Sequence, residues 1–182
     1  MKIHLSDQSK HFSKHLEALK AVNIIAYDTN QLKHKTDSIE LNCKFSDFNL
    51  NKLFAYHIFP PHILSALPQW INEERSIQAG DTIVQQINIP PFKALTQRMI
   101  VGVRVKEIID QENCKGFSYE TLQGHVEKGI SLFQIEQVKD KAVFKIETYS
   151  TPAQPLLKLF QPISSWYQDY CTKKALENIA QH

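Results

Sequence analysis

His125 and Glu127 stand two residues apart in the segment QGHVEKG, between two runs that read as strands. An imidazole titrates near neutrality and a carboxylate can orient it, so the pair has the residue types of a general acid/base couple. Tyr119, one strand back, is a third group able to carry a proton. The same loop composition also suits a turn: Gly124 and Gly129 supply positions of positive φ, and the histidine can satisfy backbone groups. His11 and His15 are spaced i, i+4, which on a helix sets two imidazoles on one face. No third ligand has diagnostic spacing, and there is no HExxH glutamate, so a solvated helix face is expected, with no metal and no other cofactor. The three cysteines, Cys43, Cys114 and Cys171, are odd in number and far apart, as reduced thiols of a cytoplasmic protein are. The chain carries no GxSxG, no GxGxxG and no GxxxxGK motif. Its acidic residues are too dispersed to argue a paired-carboxylate glycosidase site.

Composition excludes further classes. The chain has 182 residues, 21 Lys+Arg against 19 Asp+Glu and a formal charge of +2, without the basic excess of a nucleic-acid binder. Its 5 glycines leave little material for a phosphate-cradling loop. A domain of this length buries roughly 70% of its unfolded-chain surface and holds a core without metals or disulfides. No apolar run approaches the ~20 residues of a spanning helix. The N-terminus, MKIHLSDQSKHF, lacks the unbroken apolar stretch of a signal peptide.

The elements that must position these residues follow from periodicity. Residues 1–38 read as an N-terminal appendage with one helical pattern, Phe12, Leu16 and Leu19 at i, i+4, i+7, followed by a polar linker, Gln31 to Ser38. The main domain then runs over residues 39–182. Its first segment, IELNCKF, alternates as a strand. Two short helices are expected next, the second with Ile63, Leu67, Trp70 and Ile71 on one face and Pro68 interrupting it. Five antiparallel strands follow between residues 82 and 150. In the second of them Met99, Val101, Val103 and Val105 share a dry face, and Arg98, Gly102, Arg104 and Lys106 a wet one. In the last, Ala142, Phe144 and Ile146 point inward. From Ala153 the period becomes helical, with Leu156, Leu159, Phe160, Ile163, Tyr167 and Tyr170 in a stripe, Trp166 packing with the aromatics, and Pro162 kinking the helix at its middle. The expected class is α+β, an antiparallel sheet curled around a long C-terminal helix.

The string GFSYETLQGHVEKGISLFQIE, followed by VFKIETYSTP, resembles the signature of the uncharacterised family DUF1990, whose typical string runs GFAYGTLPGHPERGEEAF and continues to a strand ending in FSRP. Gly116, Phe117, Tyr119, Thr121, Leu122, Gly124, His125, Glu127, Gly129 and Phe133 match that pattern in type. Glu120 stands for its glycine, Val126 for its proline, Ile130 and Ser131 for its paired glutamates, and Thr151 for its arginine, so no role passes to those positions. The resemblance covers roughly residues 45 to 180. It implies a helix-grip fold, similar to START-like lipid-transfer and pollen-allergen-like (SRPBCC) domains, in which a curved antiparallel sheet grips a long C-terminal helix around an apolar cavity.

Parity and the helical stripe then select the liners of such a cavity: Val101, Val103, Phe133, Phe144, Ile146, Phe160, Ile163 and Tyr167. The expected function is non-enzymatic binding of a hydrophobic or amphipathic small molecule, such as a lipid, between sheet and helix. Two alternatives are an enzyme of hydrolase or cyclase type using the same cavity, with His125, Glu127 or Tyr119 as acid/base, and an interaction module whose interior is filled.

Overall fold

The computed structural model describes residues 2–89, 97–153 and 161–181, and the side chains among them except those of 2 and 161–165. The sheet is built from β1 (Lys2–His4), β2 (Lys33–Glu40), β3 (Leu64–Pro68), β4 (Thr82–Ile89), β5 (Gln97–Gln111), β6 (Cys114–Thr121), β7 (Glu127–Val138) and β8 (Lys141–Pro152). Four α-helices join them among the described residues: α1 (Phe12–Lys20), α2 (Leu50–Phe54), α3 (Gln69–Asn72) and α4 (Gln161–Ala180). The eight strands form one antiparallel sheet in the order β2-β8-β7-β6-β5-β4-β3, and β1 pairs with β5. β1 meets β5 at Arg98 to Ile100, while β6 pairs with it only from Val103 onward, so β1 covers backbone groups of β5 that β6 leaves open. The protein is thus α+β, with a large curved antiparallel sheet and a C-terminal helix.

The five strands between residues 82 and 150 stand as the periodicity predicts. Met99, Val101, Val103 and Val105 are all buried on the concave face, with Ala142, Phe144 and Ile146. Beyond Val105 the parity changes, because a bulge at Lys106 lets Val105 oppose Tyr119 and Ile108 oppose Phe117. A bulge of this kind bends the strand and raises its twist.

Several expectations are corrected. The polar segment Gln31–Ser38, expected as a linker, is largely strand β2, which pairs along its whole length with β8. The expected strand IELNCKF belongs to β2 only through Glu40 and continues into a turn. The second expected short helix is divided between β3 and α3: Leu67 lies in the strand, Trp70 and Ile71 in the helix, and Pro68 between them stands at the N-cap of α3, where its missing N–H costs nothing. Pro162 is the second residue of α4, not its middle. In place of a stripe ending at Tyr170, the fully buried positions of α4 among its described side chains are Ala175 and Ile179, and Trp166 is 55% exposed. Leu156, Leu159 and Phe160 lie outside the described residues, and so does the side chain of Ile163.

The outer face of β4 and β5 is wet at Lys106 but covered around Val84, Ile100 and Gly102. Phe12 and Leu16 of α1 pack there on Val84 and Ile100. Gly102 makes room for that helix, since a Cβ in its place would lie 2.9 Å from side-chain atoms of Leu19 and Leu122. Arg104 donates to the carbonyls of Leu19 (3.2 Å) and Lys20 (2.9 Å), the C-terminal end of α1, where a cation opposes the helix dipole. Lys20 in turn pairs with Glu73 at 2.9 Å. The segment expected as an appendage therefore covers the convex side of the sheet.

Candidate functional site

Four adjacent strands order the concave face into cross-strand rows. Ile39, Phe144 and Ile135 oppose one another in the first row, and Asp37, Ile146, Phe133 and Phe117 in the second. Lys35, Thr148, Ser131 and Tyr119 follow in the third, and Lys33, Ser150 and Gly129 in the fourth. Apolar side chains give way to hydroxyls and charges over about two residue pairs in every strand.

At the apolar end the described side chains pack into one cluster. Phe117, Phe133, Phe144 and Ile135 are at most 1% exposed and share one cluster with Leu53, Tyr56, Ile58 and the α4 residues Ala175 and Ile179. Rings meet edge-on or tilted, as between Tyr119 and Phe133 at 5.5 Å and Tyr56 and Phe133 at 6.2 Å. Polar bonds fix the end of the helix here: Asn178 donates to the carbonyls of His57 and Ile58, both at 3.0 Å, and Lys52 to that of Asn178 at 2.5 Å.

At the other end the sheet and α4 leave a cleft of about 230 Å³, lined by Lys33, His34, Lys35, Glu127, Thr148, Ser150, Thr151, Pro152, Gln168 and Asp169. β7 begins at Glu127, so its carboxyl enters from the floor. Gly129 holds the start of β7 close to β8, at φ +145° with its absent Cβ only 1.9 Å from the Tyr149 carbonyl, a place no side chain fits. Ser150 donates to the Glu127 carboxylate at 2.7 Å, and Gln168 of α4 hydrogen-bonds it as well. Burial pushes the Glu127 carboxyl above its usual range, partly offset by these two donors. Lys35 pairs with Asp37 at 3.1 Å and with Asp169 of α4 at 2.5 Å. His34 stacks on Tyr149, centroids 4.3 Å apart, and meets Glu147 at 2.8 Å.

The predicted site residues divide between these ends. Val103, Phe133, Phe144 and Ile146 belong to the filled cluster, and Val101 is equally buried; none of them lines the cleft. Tyr167 is half-buried and its hydroxyl donates to the Asn88 carbonyl at 2.7 Å. Of the acid/base candidates only Glu127 lines the cleft. His125 directs Nδ1 at the backbone of Glu127, 3.1 Å from its N–H and 3.0 Å from its carbonyl, and not at its carboxyl. Surrounding protein pushes that imidazole down to about 4, so it is neutral at pH 7 and a weak base. Tyr119 is 8% exposed, with its hydroxyl 3.5 Å from that of Tyr56, which accepts from Gln85 at 2.7 Å. His11 is exposed and His15 faces the His4 ring at 5.9 Å. Among the described residues no group of three or more His, Cys, Asp and Glu side chains is placed to hold a metal ion.

Residues 51–178 match the model of the domain of unknown function DUF1990. The chain belongs to that family. No curated protein matches it. Among solved structures it is similar to a hypothetical protein of Helicobacter pylori at 7% identity and TM-score 0.58, over 88% of this chain and 96% of that one. It is similar also to the KanY protein at 13% identity and TM-score 0.53, over 83% and 97% of the two chains. A protein of Mycobacterium smegmatis matches at 10% identity and TM-score 0.53, over 88% and 95%. At such identities the likeness bears on the fold alone. Within this DUF1990 chain, the family-matching Gly129 is the position whose local need for glycine is plainest.

Sequence reasoning missed Lys33, Lys35, Thr148, Ser150 and Gln168. The signal was present in β8: the parity that selects Ala142, Phe144 and Ile146 continues to Thr148 and Ser150, where the inward residues turn polar.

Proposed function

We propose that this DUF1990 protein is a helix-grip, START-like domain that binds a small amphipathic molecule between the sheet and α4, with the polar group of that molecule in the Glu127 cleft. The observation that carries the reading is the convergence of two carboxyls, three hydroxyls and an amide on a concavity beside an end of the grip that is packed with apolar side chains among the described residues. At about 230 Å³ the cleft is smaller than the roughly 300–1,000 Å³ of drug-sized pockets, which suits a small molecule or the head of a longer one. Of the residues selected from the sequence as liners, Val103, Phe133, Phe144 and Ile146 share the buried cluster with Ala175 and Ile179 of α4. No helix among the described residues is long and apolar enough to cross a membrane. The free state of Cys43, Cys114 and Cys171 supports a reducing, cytoplasmic setting.

A filled-interior interaction module is the second reading, favoured by the aromatic packing around Phe133. The enzyme alternative rests on Glu127 alone, because His125 and Tyr119 direct their polar atoms elsewhere. Native mass spectrometry separates binding from the filled module. Protein purified without denaturation is expected to carry a bound small molecule that Thr148→Trp, which fills the cleft, displaces. Repeated preparations of bare wild-type protein would favour the module.

A further inference from the structure

The charges around the cleft do not all cancel within the protein. Lys35 is satisfied by Asp37 and Asp169, and His34 is held by Glu147. Among the described residues Glu127 and Lys33 line the same cleft without an ion pair of their own. The partners of Glu127 are a hydroxyl and an amide, both of which spend a hydrogen on the carboxylate. Ser150 is left with acceptor oxygen and Gln168 with its carbonyl oxygen and one N–H, beside a carboxylate whose charge burial leaves costly. A donor-rich cation answers all three. Lys33, exposed and directly opposite Ser150 in the register, sets a positive charge at the rim.

We propose that the cleft takes the ammonium group of a small zwitterion, held by the Glu127 carboxylate and the Ser150 oxygen, with the anionic group of that molecule against Lys33. This rests on the reading of the cleft as a small-molecule site and names the chemistry it selects. A free amino-phosphate or amino acid and the head of an aminophospholipid present the same pair of charges.

The test is a titration of isotope-labelled protein, followed by amide shifts, with phosphoethanolamine as the zwitterion and glycerol as a neutral probe of similar size. Phosphoethanolamine is expected to shift residues 127–129 and 148–152 saturably and more tightly than glycerol. Glu127→Gln is expected to weaken it about ten- to hundredfold, the scale of a lost charged hydrogen bond. Lys33→Gln, at an exposed rim position that folding does not need, is expected to weaken it several-fold. Affinity is expected to rise with pH as the Glu127 carboxyl ionises; the other charged or titratable groups facing it are His125 beside it, Lys33, His34 and Lys35 on β2, and Asp169 on α4. Vesicles with and without phosphatidylethanolamine assign the source: binding to the former alone identifies a lipid head, and binding of the soluble probe without vesicles identifies a free zwitterion. If glycerol binds in the cleft as tightly as phosphoethanolamine, or both variants bind phosphoethanolamine as wild type does, the zwitterion inference is overturned while the cleft stands. If neither probe shifts these residues, both are overturned.

Discussion

At the Ile39–Phe144–Ile135 end of the concave face the sheet meets α4 through fully buried apolar side chains, whereas at the Lys33–Ser150–Gly129 end it meets the same helix through Gln168, Asp169 and a cleft. Both ends are made by the same strands in one register. The difference comes from side-chain type alone, and it separates what holds the helix from what the helix leaves accessible. An apolar row gains from every atom removed from water. A row of hydroxyls and charges gains little by closing, since each polar group moved from water needs a partner in return. The grip therefore closes at one end and stays open at the other.

Changes at the two ends are expected to separate stability from binding. Phe133→Ala, in the apolar end, is expected to cost about 3–5 kcal/mol by chemical denaturation, because the surrounding rings cannot collapse into the space. If Phe133→Ala unfolded at the wild-type denaturant midpoint, the filled end would not be what secures the helix.

His125 gives the next effect, through pH. Its folded-state value of about 4 lies below the ordinary 6.5, so between these the unfolded chain binds the extra proton. The stability it permits is complete above pH 6.5 and is lost as pH falls toward 4. Glu127 has the opposite sign: with its folded value raised, its contribution is present in acid and declines as pH rises past the unfolded value. His125→Asn is expected to flatten the acid loss by about 1–3 kcal/mol between pH 6.5 and pH 4, with little change at pH 8. Parallel pH–stability curves for the two proteins would contradict this.

Ser150→Ala is expected to have the smallest effect on stability, about 0.5–1.5 kcal/mol, since one hydrogen bond to a carboxylate is lost at a site water reaches. It is also expected to raise the titration of Glu127 further, readable from the side-chain carboxyl carbon shift. A large loss of stability from this change would mean that the polar end is part of the framework.

Runs of β-branched and aromatic residues made β4 to β8 legible in the sequence, with regular alternation in β5 and β8. β2 was hidden. As an edge strand it is exposed on one side and carries Lys35 and Asp37 on the other, so KHKTDSIE has polar residues in both registers. β3 was hidden for a different reason: Ile63, Leu67, Trp70 and Ile71 fit a helical spacing, yet they straddle a strand and a short helix separated at Pro68. The covering of the outer face by α1 depends on Gly102 and Arg104, whose small size and charge read as features of a wet surface until the helix is in place. The cleft was hidden because apolar parity in β8 ends at Ile146, two residues short of where the same inward positions turn polar.

In the proposed function the polar end, and not the apolar interior, receives the ligand. Amide and methyl shifts of labelled protein, recorded against a set of small amphipathic fragments, test it most directly. Saturable shifts are expected at residues 127–129, 148–152 and Gln168, with the methyls of Val101, Val103 and Ile146 unmoved. Saturable shifts centred on those methyls, with residues 127–129 and 148–152 still, would contradict it.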